Sequence, residues 1–390
     1  MKKIRLFETF AGIGAQTKAL NNISKNLGIE VDNVGISEWY VDSIIAYSKI
    51  HHKKEFDKEL KSITLDKKSI LEKFSINPSY CFSTDSKKPS TLKSIKEDKL
   101  KELFVANKVS KNFGSITELK GSELPQNIDI FTYSFPCTDI SLQGKQGGLL
   151  KTSETASSLV WQVLRVLEEA KEHNNLPKTL LMENVKALFS KKFIKNWEEV
   201  KEILSQFGYN TYDTTINAID KGSIQRRERV FAVSVRKDID KGFKYNDSDH
   251  KKSNLKLKDI LEKNVGEDFI VNKLKQHING QESDLKATGL KYLVLQGYTT
   301  FQSENILYDI EGNAPTITAS GANSRVKIID NNGDLRYLMP IELWQLMGFD
   351  KKDYLAIGNV SKATASRLAG NSISVQALED IFEDVIKQVL

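Results

Sequence analysis

Cys137 lies in "YSFPCTDIS", after an apolar run and beside Pro136, and is one of only two cysteines in the chain. A free cysteine is often just a small buried hydrophobe. At the carboxyl end of a strand, where α/β folds carry their chemistry, it can instead be a nucleophile. Its thiolate would attack an electrophilic carbon if a nearby cation or helix amino terminus lowered its pKa. A second apolar run ends in a carboxyl, at "LLMENV", where Glu183 suits hydrogen bonding to a planar heterocycle and general-acid duty. In "QRRERVF", Gln225, Arg227 and Arg229 fall on alternate positions ahead of a strand, so their side chains would point to one side. Arginines there can hold a base oxygen, a phosphate or a buried carboxylate. The five histidines show no metal-site spacing, and no metal is expected.

Near the amino end, "FETFAGIGAQ" puts Gly12 and Gly14 directly after a strand, where a ligand can approach the backbone at a helix start. A dinucleotide fingerprint needs a third glycine to cradle a pyrophosphate, and here Gln16 and Thr17 stand instead. That favours a nucleoside without phosphates, such as S-adenosylmethionine, over NAD. Glu38 ends the second strand, where a carboxylate can accept from both ribose hydroxyls. Read without Glu38, the glycines are equally well a tight strand–helix turn.

The elements that must position these groups alternate. A strand over residues 2–10 leads to a helix from Ala15 to Leu27, closed by Gly28. "NVGISEW" is a second strand and Val41 to His51 a second helix. After an irregular stretch come a buried strand at "IDIFTYS", a helix from Ala156 to His173 and the strand "TLLMEN". A helix from Trp197 to Phe207, ended by Gly208, leads to strands "YNTYDTTINAI" and "RVFAVSV". This order implies an α/β, doubly wound, Rossmann-like sheet through about Val235.

Two stretches break the pattern. Residues 53–111 are rich in lysine and serine with short helical hints, and read as a solvated surface insertion rather than a DNA-contacting element. Residues 236–335 are polar and turn-rich, and read as a smaller, loop-rich domain. A helix near Ile341 to Met347, the turn "AGNS" and a helix from Val375 onward make 336–390 a return segment completing the first domain, 1–235.

The chain has 390 residues, 28% charged and 39% hydrophobic, enough for a sizeable core in two domains. A net charge of +6 hints at a polyanionic partner. No apolar run is long enough to span a bilayer, and "MKKIRLFETFAGIG" lacks a small-residue cleavage site. Cys81 and Cys137 cannot form a disulfide framework, so a reducing cytoplasm is the expected location.

Taken in order, "FAGIG", "SFPC", "ENV", "QRRER" and "GNSISV" resemble the conserved blocks of the DNA (cytosine-5) methyltransferases of bacterial restriction–modification systems. The insertion and "SENILYDIEGNAPTITASGANSRVKI" resemble the CpG-methylating subgroup in particular. The resemblance implies methyl transfer from S-adenosylmethionine to C5 of a cytosine flipped out of double-stranded DNA. It implies that Cys137 adds to C6, Glu183 binds the N3 and amino edge, Arg229 binds O2, and Arg227 supports the pocket. Phe10, Gly12 and Gly14 would shape the cofactor pocket, Glu38 would hold its ribose and Trp39 would pack on its adenine. Pro136 would line the site, Asn371 and Ser372 would complete the cofactor pocket, and Thr316 in "PTITAS" would lie near the flipped base. Residues 236–335 would form the target-recognition domain.

The chain departs from the family at Thr138, where glutamine is usual, and at Ser115, where an aspartate for the adenine amino group is common. "RYLMPIELWQLMGF" keeps Arg336 and Pro340 and reads as a structural helix start. The resemblance also implies a monomer and raises a paired restriction endonuclease as a partner. Three rival readings stand beside it: an RNA cytosine-5 methyltransferase, an inactive nucleic-acid-binding homologue, and an NAD oxidoreductase. The last fails on the missing glycine. The variable region of roughly a hundred residues favours a duplex sequence over RNA.

Overall fold

The computed structural model describes residues 1–77, 80–136, 156–246, 254–285, 290–321 and 324–390. The chain divides into two compact units. One is Met1–Ile216, Glu228–Asn246 and Leu378–Leu390, and the other is Asn217–Arg227 and Asp247–Ala377. Residues 217–227 group with the second unit as the "QRR" backbone pairs with the segment around Ala314, and 336–377 group there too, with Arg336 bonded to Asp330 and Ser372 to Arg227.

The first unit is built on β1 (Lys2–Thr9), which pairs in parallel with β2 (Ile29–Ser37) on one side and β3 (Ile130–Tyr133) on the other. β3 is parallel to β4 (Thr179–Val185), and β5 (Tyr209–Asn217) and β6 (Glu228–Arg236) complete the order β2-β1-β3-β4-β6-β5. β6 runs antiparallel to β4, with Glu183 opposite Phe231 and Val185 opposite Arg229. All four residues of β3 and six of seven in β4 are buried, as strands covered on both faces require. The helices α1 (Ala15–Leu27) and α2 (Val41–His51) match their expected bounds, and Gly28 caps α1 at φ 64°. The expected helix from Ala156 begins as a 3₁₀ turn and becomes α-helical at Val160.

The insertion carries more order than its composition suggested. It forms α3 (Lys53–Ser62), α4 (Lys67–Ile76) and α5 (Glu97–Val109). Phe56, Ile70, Phe74, Phe82, Leu92, Leu100 and Leu103 build a core there, continued by Val41 and Ile44 of α2. Each such side chain contributes roughly 1.5–3 kcal/mol on burial, so few are needed. The lysines between them dilute the apolar signal without breaking its helical spacing. α6 (Val160–Glu172) and α7 (Ile194–Phe207) pack on the main core, α7 ending at Gly208 with φ 102°.

The second unit holds a five-stranded sheet of order β11-β10-β9-β8-β7, where a loop-rich domain was expected. Its strands are β7 (Ile278–Leu285), β8 (Leu290–Leu295), β9 (Ile306–Tyr308), β10 (Lys327–Ile329) and β11 (Leu335–Tyr337). Three of them are three residues long, too short for a period-2 pattern to register. Arg336, fully buried, pairs bidentately with Glu342 at 2.8 and 2.9 Å and donates to Asp330 at 3.0 Å. α8 (Pro340–Leu346) starts at Pro340, and α9 (Lys351–Ala356) and α10 (Lys362–Gly370) follow, while α11 (Val375–Gln388) belongs from Leu378 onward to the first unit. α9 and α10 escaped the sequence reading because neither carries a clear apolar stripe. No described helix is long and apolar enough to cross a membrane.

Candidate active site and cofactor edge

In the first unit, two carboxylates stand at carboxyl ends of parallel strands. Glu38 follows β2. Its Oε2 accepts from the Gly12 N–H, and its Oε1 accepts from the N–H groups of Trp39 and Tyr40, all at 2.8 Å. Burial holds its pKa above the usual carboxylate value, and the three N–H donors offset only part of that rise. A carboxylate has about four lone-pair sites, so one remains for a ligand donor. Asn112 fixes the Glu38 backbone from the other side, accepting from its N–H and donating to its C=O, both at 3.0 Å.

The glycines differ in what surrounds them. A Cβ on Gly12, at φ 56°, would meet nothing closer than the Phe10 carbonyl at 4.0 Å, so its backbone is open to an approaching group. A Cβ on Gly14, at φ 78°, would lie 2.3 Å from His51 Nε2 and 2.6 Å from the Tyr47 ring. Gly14 is therefore glycine so that α2 can press against the loop. His51 Nε2 lies 3.0 Å from the Ile13 carbonyl and must carry the proton to donate there. Burial holds its pKa down at about 3, so the ring is neutral. Tyr47 donates to Glu8 at 2.6 Å in a buried cluster with Thr17 and Asn33, and burial raises Glu8 to about 7.

Phe10 has φ 52° and packs against the main core. Trp39 is half-buried, and among the described residues no aromatic ring stacks on it. An open glycine backbone, a carboxylate with one acceptor site left and an unstacked indole fit a nucleoside. No described group of His, Cys, Asp and Glu could hold a metal ion.

Glu183 lies two residues before the end of β4, largely buried, with Arg229 Nε of the antiparallel β6 at 3.2 Å from its Oε1. Arg229 Nη1 also donates to the Glu228 carbonyl at 2.7 Å. The next residue, Asn184, donates to the Phe135 carbonyl at 3.1 Å, tying β4 to the backbone two residues before Cys137. Ser157 donates to the Pro136 carbonyl at 2.9 Å. Cys137 itself lies outside the described residues, as does Thr138.

The other expected residues belong to the second unit. Arg227 is buried and donates to the carbonyls of Ile317 at 3.0 Å and Ser372 at 2.9 Å. It thus joins the "PTITAS" and "AGNS" segments, and Glu183 pairs with Arg229 instead. Gln225 accepts from Ile317 N–H at 3.3 Å, so Gln225 and Arg227 share a target, as alternate positions should. Thr316 is half-buried and donates to the Arg226 carbonyl at 2.5 Å. Asn371 caps α10 and is exposed, while Ser372 is buried.

Sequence reasoning missed Asn112, Tyr47, His51 and Gly370. A Cβ on Gly370 would fall 2.3 Å from the Thr318 and Ala319 backbone. Tyr47 and His51 were legible as an i, i+4 pair on α2. Asn112 had no signal, because only folding brings it to Glu38.

A family model for C-5 cytosine-specific DNA methylases matches residues 87–387. An orphan methyltransferase of Spiroplasma monobiae, M.SssI, is 38% identical over 98% of this chain and 97% of its own length. The type II methyltransferase M2.ScrFI of Lactococcus lactis is 34% identical over 98% of this chain and 99% of its own. The Dnmt2 methyltransferase of S. pombe, at 17% identity, shares the fold with a TM-score of 0.61 over 98% of both chains.

Proposed function

The chain belongs to the C-5 cytosine-specific DNA methylases and is a DNA cytosine-5 methyltransferase; from that premise we propose how its residues divide the reaction. The observation that carries the assignment is Glu183 with Arg229 Nε at 3.2 Å, on neighbouring strand ends, next to an asparagine that tethers the backbone leading to Cys137. C5 of cytosine is unreactive until C6 gains a nucleophile. The Cys137 thiolate forms an S–C6 bond, and the displaced electron pair moves toward N3 and C5. Glu183, protonated, donates to the N3 edge and accepts from the exocyclic amine, while Arg229 binds O2. S-adenosylmethionine, when bound, supplies an electrophilic methyl carbon. C5 would take that methyl group as its bond to the sulfonium sulfur breaks, and loss of the C5 proton to solvent would then return the electron pair to the ring and expel the Cys137 sulfur as thiolate. The base must leave the stack for any of this, at a cost of a few kcal/mol that pocket and phosphate contacts offset.

The cofactor edge is Phe10, Gly12, Gly14, Glu38 and Trp39, with Pro136, while Asn371 and Ser372 of the second unit are assigned to the cofactor on the family resemblance alone. Gly12 presents its open backbone, Glu38 offers its remaining acceptor to the ribose and the Trp39 indole packs on adenine. Arg227 holds the segment bearing Thr316, the residue assigned to the flipped base by the family resemblance. The substrate is double-stranded DNA, the protein acts as a cytoplasmic monomer, and the target is CG. A paired restriction endonuclease is a further proposed partner.

Bisulfite sequencing of unmethylated plasmid incubated with protein and S-adenosylmethionine tests the reading. Protection of cytosines in CG alone supports it. Protection in another short motif removes only the CG assignment, and no protection with cofactor binding intact contradicts the DNA substrate.

A further inference from the structure

Residues 53–111 hold 15 lysines and no arginine against 9 aspartates and glutamates, a surplus of 6 that equals the +6 of the whole chain. Everything outside the insertion is therefore neutral on balance. The surplus is not spread evenly. On the helices, acids nearly match lysines in number, and several pair along the surface, as in Lys53–Asp57, Lys68–Glu72 and Lys101–Glu97, while Lys54, Lys58, Lys61 and Lys73 are exposed without an ion pair among the described residues. That is the pattern of a solvated charged face. In the loop between α4 and α5, Lys87, Lys88, Lys93 and Lys96 are all exposed and make no ion pair among the described residues. The loop's one acid, Asp85, is occupied by the N–H groups of Lys87 and Lys88 at 2.8 and 3.1 Å.

Four like charges would relieve their repulsion by spreading, but the loop backbone is stapled. Ser83 donates to the Lys88 carbonyl at 2.7 Å, and Lys67 reaches the carbonyls of Lys93 and Ile95 at 2.8 and 2.7 Å. Phe82, Leu92 and Ile95 are buried in the insertion's core. The loop is also fixed to the cofactor edge: Ser83 N–H donates to the Trp39 carbonyl at 2.8 Å, and Val41 N–H donates to the Ser83 carbonyl at 2.9 Å. A fixed backbone that carries four exposed lysines against one acid fits a polyanion. Lysine without arginine fits point-charge contact rather than bidentate readout.

We propose that Lys87, Lys88, Lys93 and Lys96 form a phosphate-binding surface that holds duplex DNA through its backbone, beyond the target bases and without regard to sequence. The duplex as ligand rests on the function proposed above. The surface supplies affinity, while the Glu183 end of the sheet supplies chemistry.

The test replaces all four lysines with glutamine and measures binding to a long duplex lacking the target across about 50 to 200 mM salt. The log–log salt slope should shrink by about 0.9 for each phosphate that is no longer neutralised, so by about 2 to 4. The rate at saturating target DNA should match wild type. A charge-matched control, with Lys54, Lys58, Lys61 and Lys73 replaced by glutamine, should keep most of the slope. All eight are exposed, so melting temperatures should match wild type and certify the fold. A wild-type slope in the first variant overturns the proposal. So does an equal drop in the control, which would mean net charge alone. If wild-type protein methylates no DNA, the substrate assignment fails separately, and the slope still reports on the loop.

Discussion

Glu38 and Glu183 stand at the ends of two parallel strands of one sheet, and they are held in opposite ways. Three backbone N–H groups grip Glu38, so its carboxylate shapes the chain at Gly12 and Trp39 before any ligand arrives. Glu183 faces a side chain, the Arg229 guanidinium on the antiparallel strand β6. A carboxylate locked by backbone is an architectural part that keeps one acceptor site for a ligand. A carboxylate held by a side chain can exchange that partner for a substrate edge and take or give a proton. Glu8, one strand over on β1, is sealed by Tyr47, Thr17 and Asn33 and supports the loop from below.

Substitutions should separate these roles. The largest effect is expected from Glu183→Gln, which should slow single-turnover methyl transfer by about 10²–10⁴-fold with cofactor affinity unchanged. A titration showing weakened cofactor binding would erase the contrast with Glu38. Next, Glu38→Ala strands the N–H groups of Gly12, Trp39 and Tyr40, each worth about 1–3 kcal/mol when buried and unmet. Cofactor affinity and melting temperature should both fall, while the rate at saturating cofactor stays near wild type. Gly14→Ala should cost less, about 1–2 kcal/mol for the left-handed backbone plus displacement of His51. It too should raise the cofactor dissociation constant, and isothermal titration against thermal unfolding would read both.

A further effect concerns pH. Glu8 is raised to about 7, so its contribution to stability is present below its ordinary value of 4.5 and is lost as pH rises through 7. His51 is lowered to about 3, so its contribution is present above its ordinary 6.5 and is lost as pH falls toward 3. Between 4.5 and 6.5 the two slopes oppose each other. Glu8→Gln should leave the His51 slope exposed, so that the variant loses stability on acidification across that window. Chemical denaturation at several pH values would show it, and a flat profile would remove Glu8 as the opposing group.

The sequence made the strand–helix alternation of the sheet domain legible because buried parallel strands are continuous apolar runs and their helices carry glycine stops at Gly28 and Gly208. It was also sufficient to single out Glu183 and Arg229, each at the end or start of such a run. It did not reveal that Gln225 and Arg227 grip Ile317 while Arg229 turns to Glu183, since all three share one alternation. The insertion was under-read because fifteen lysines masked a core of seven or more apolar side chains. The short strands of the second unit left no period to detect. Asn112 and Gly370 act through neighbours distant in sequence, which composition cannot carry.

Every step of the proposed reaction depends on Cys137 as the nucleophile. The most direct measurement is covalent trapping on duplex DNA carrying 5-fluorocytosine at the target, with S-adenosylmethionine present, where C5 has no proton to lose and the S–C6 bond persists. A denaturing gel should show a protein–DNA adduct that peptide mapping assigns to Cys137, absent in Cys137→Ser and formed slowly in Glu183→Gln. An adduct in Cys137→Ser, or one mapped to Cys81, would contradict the mechanism.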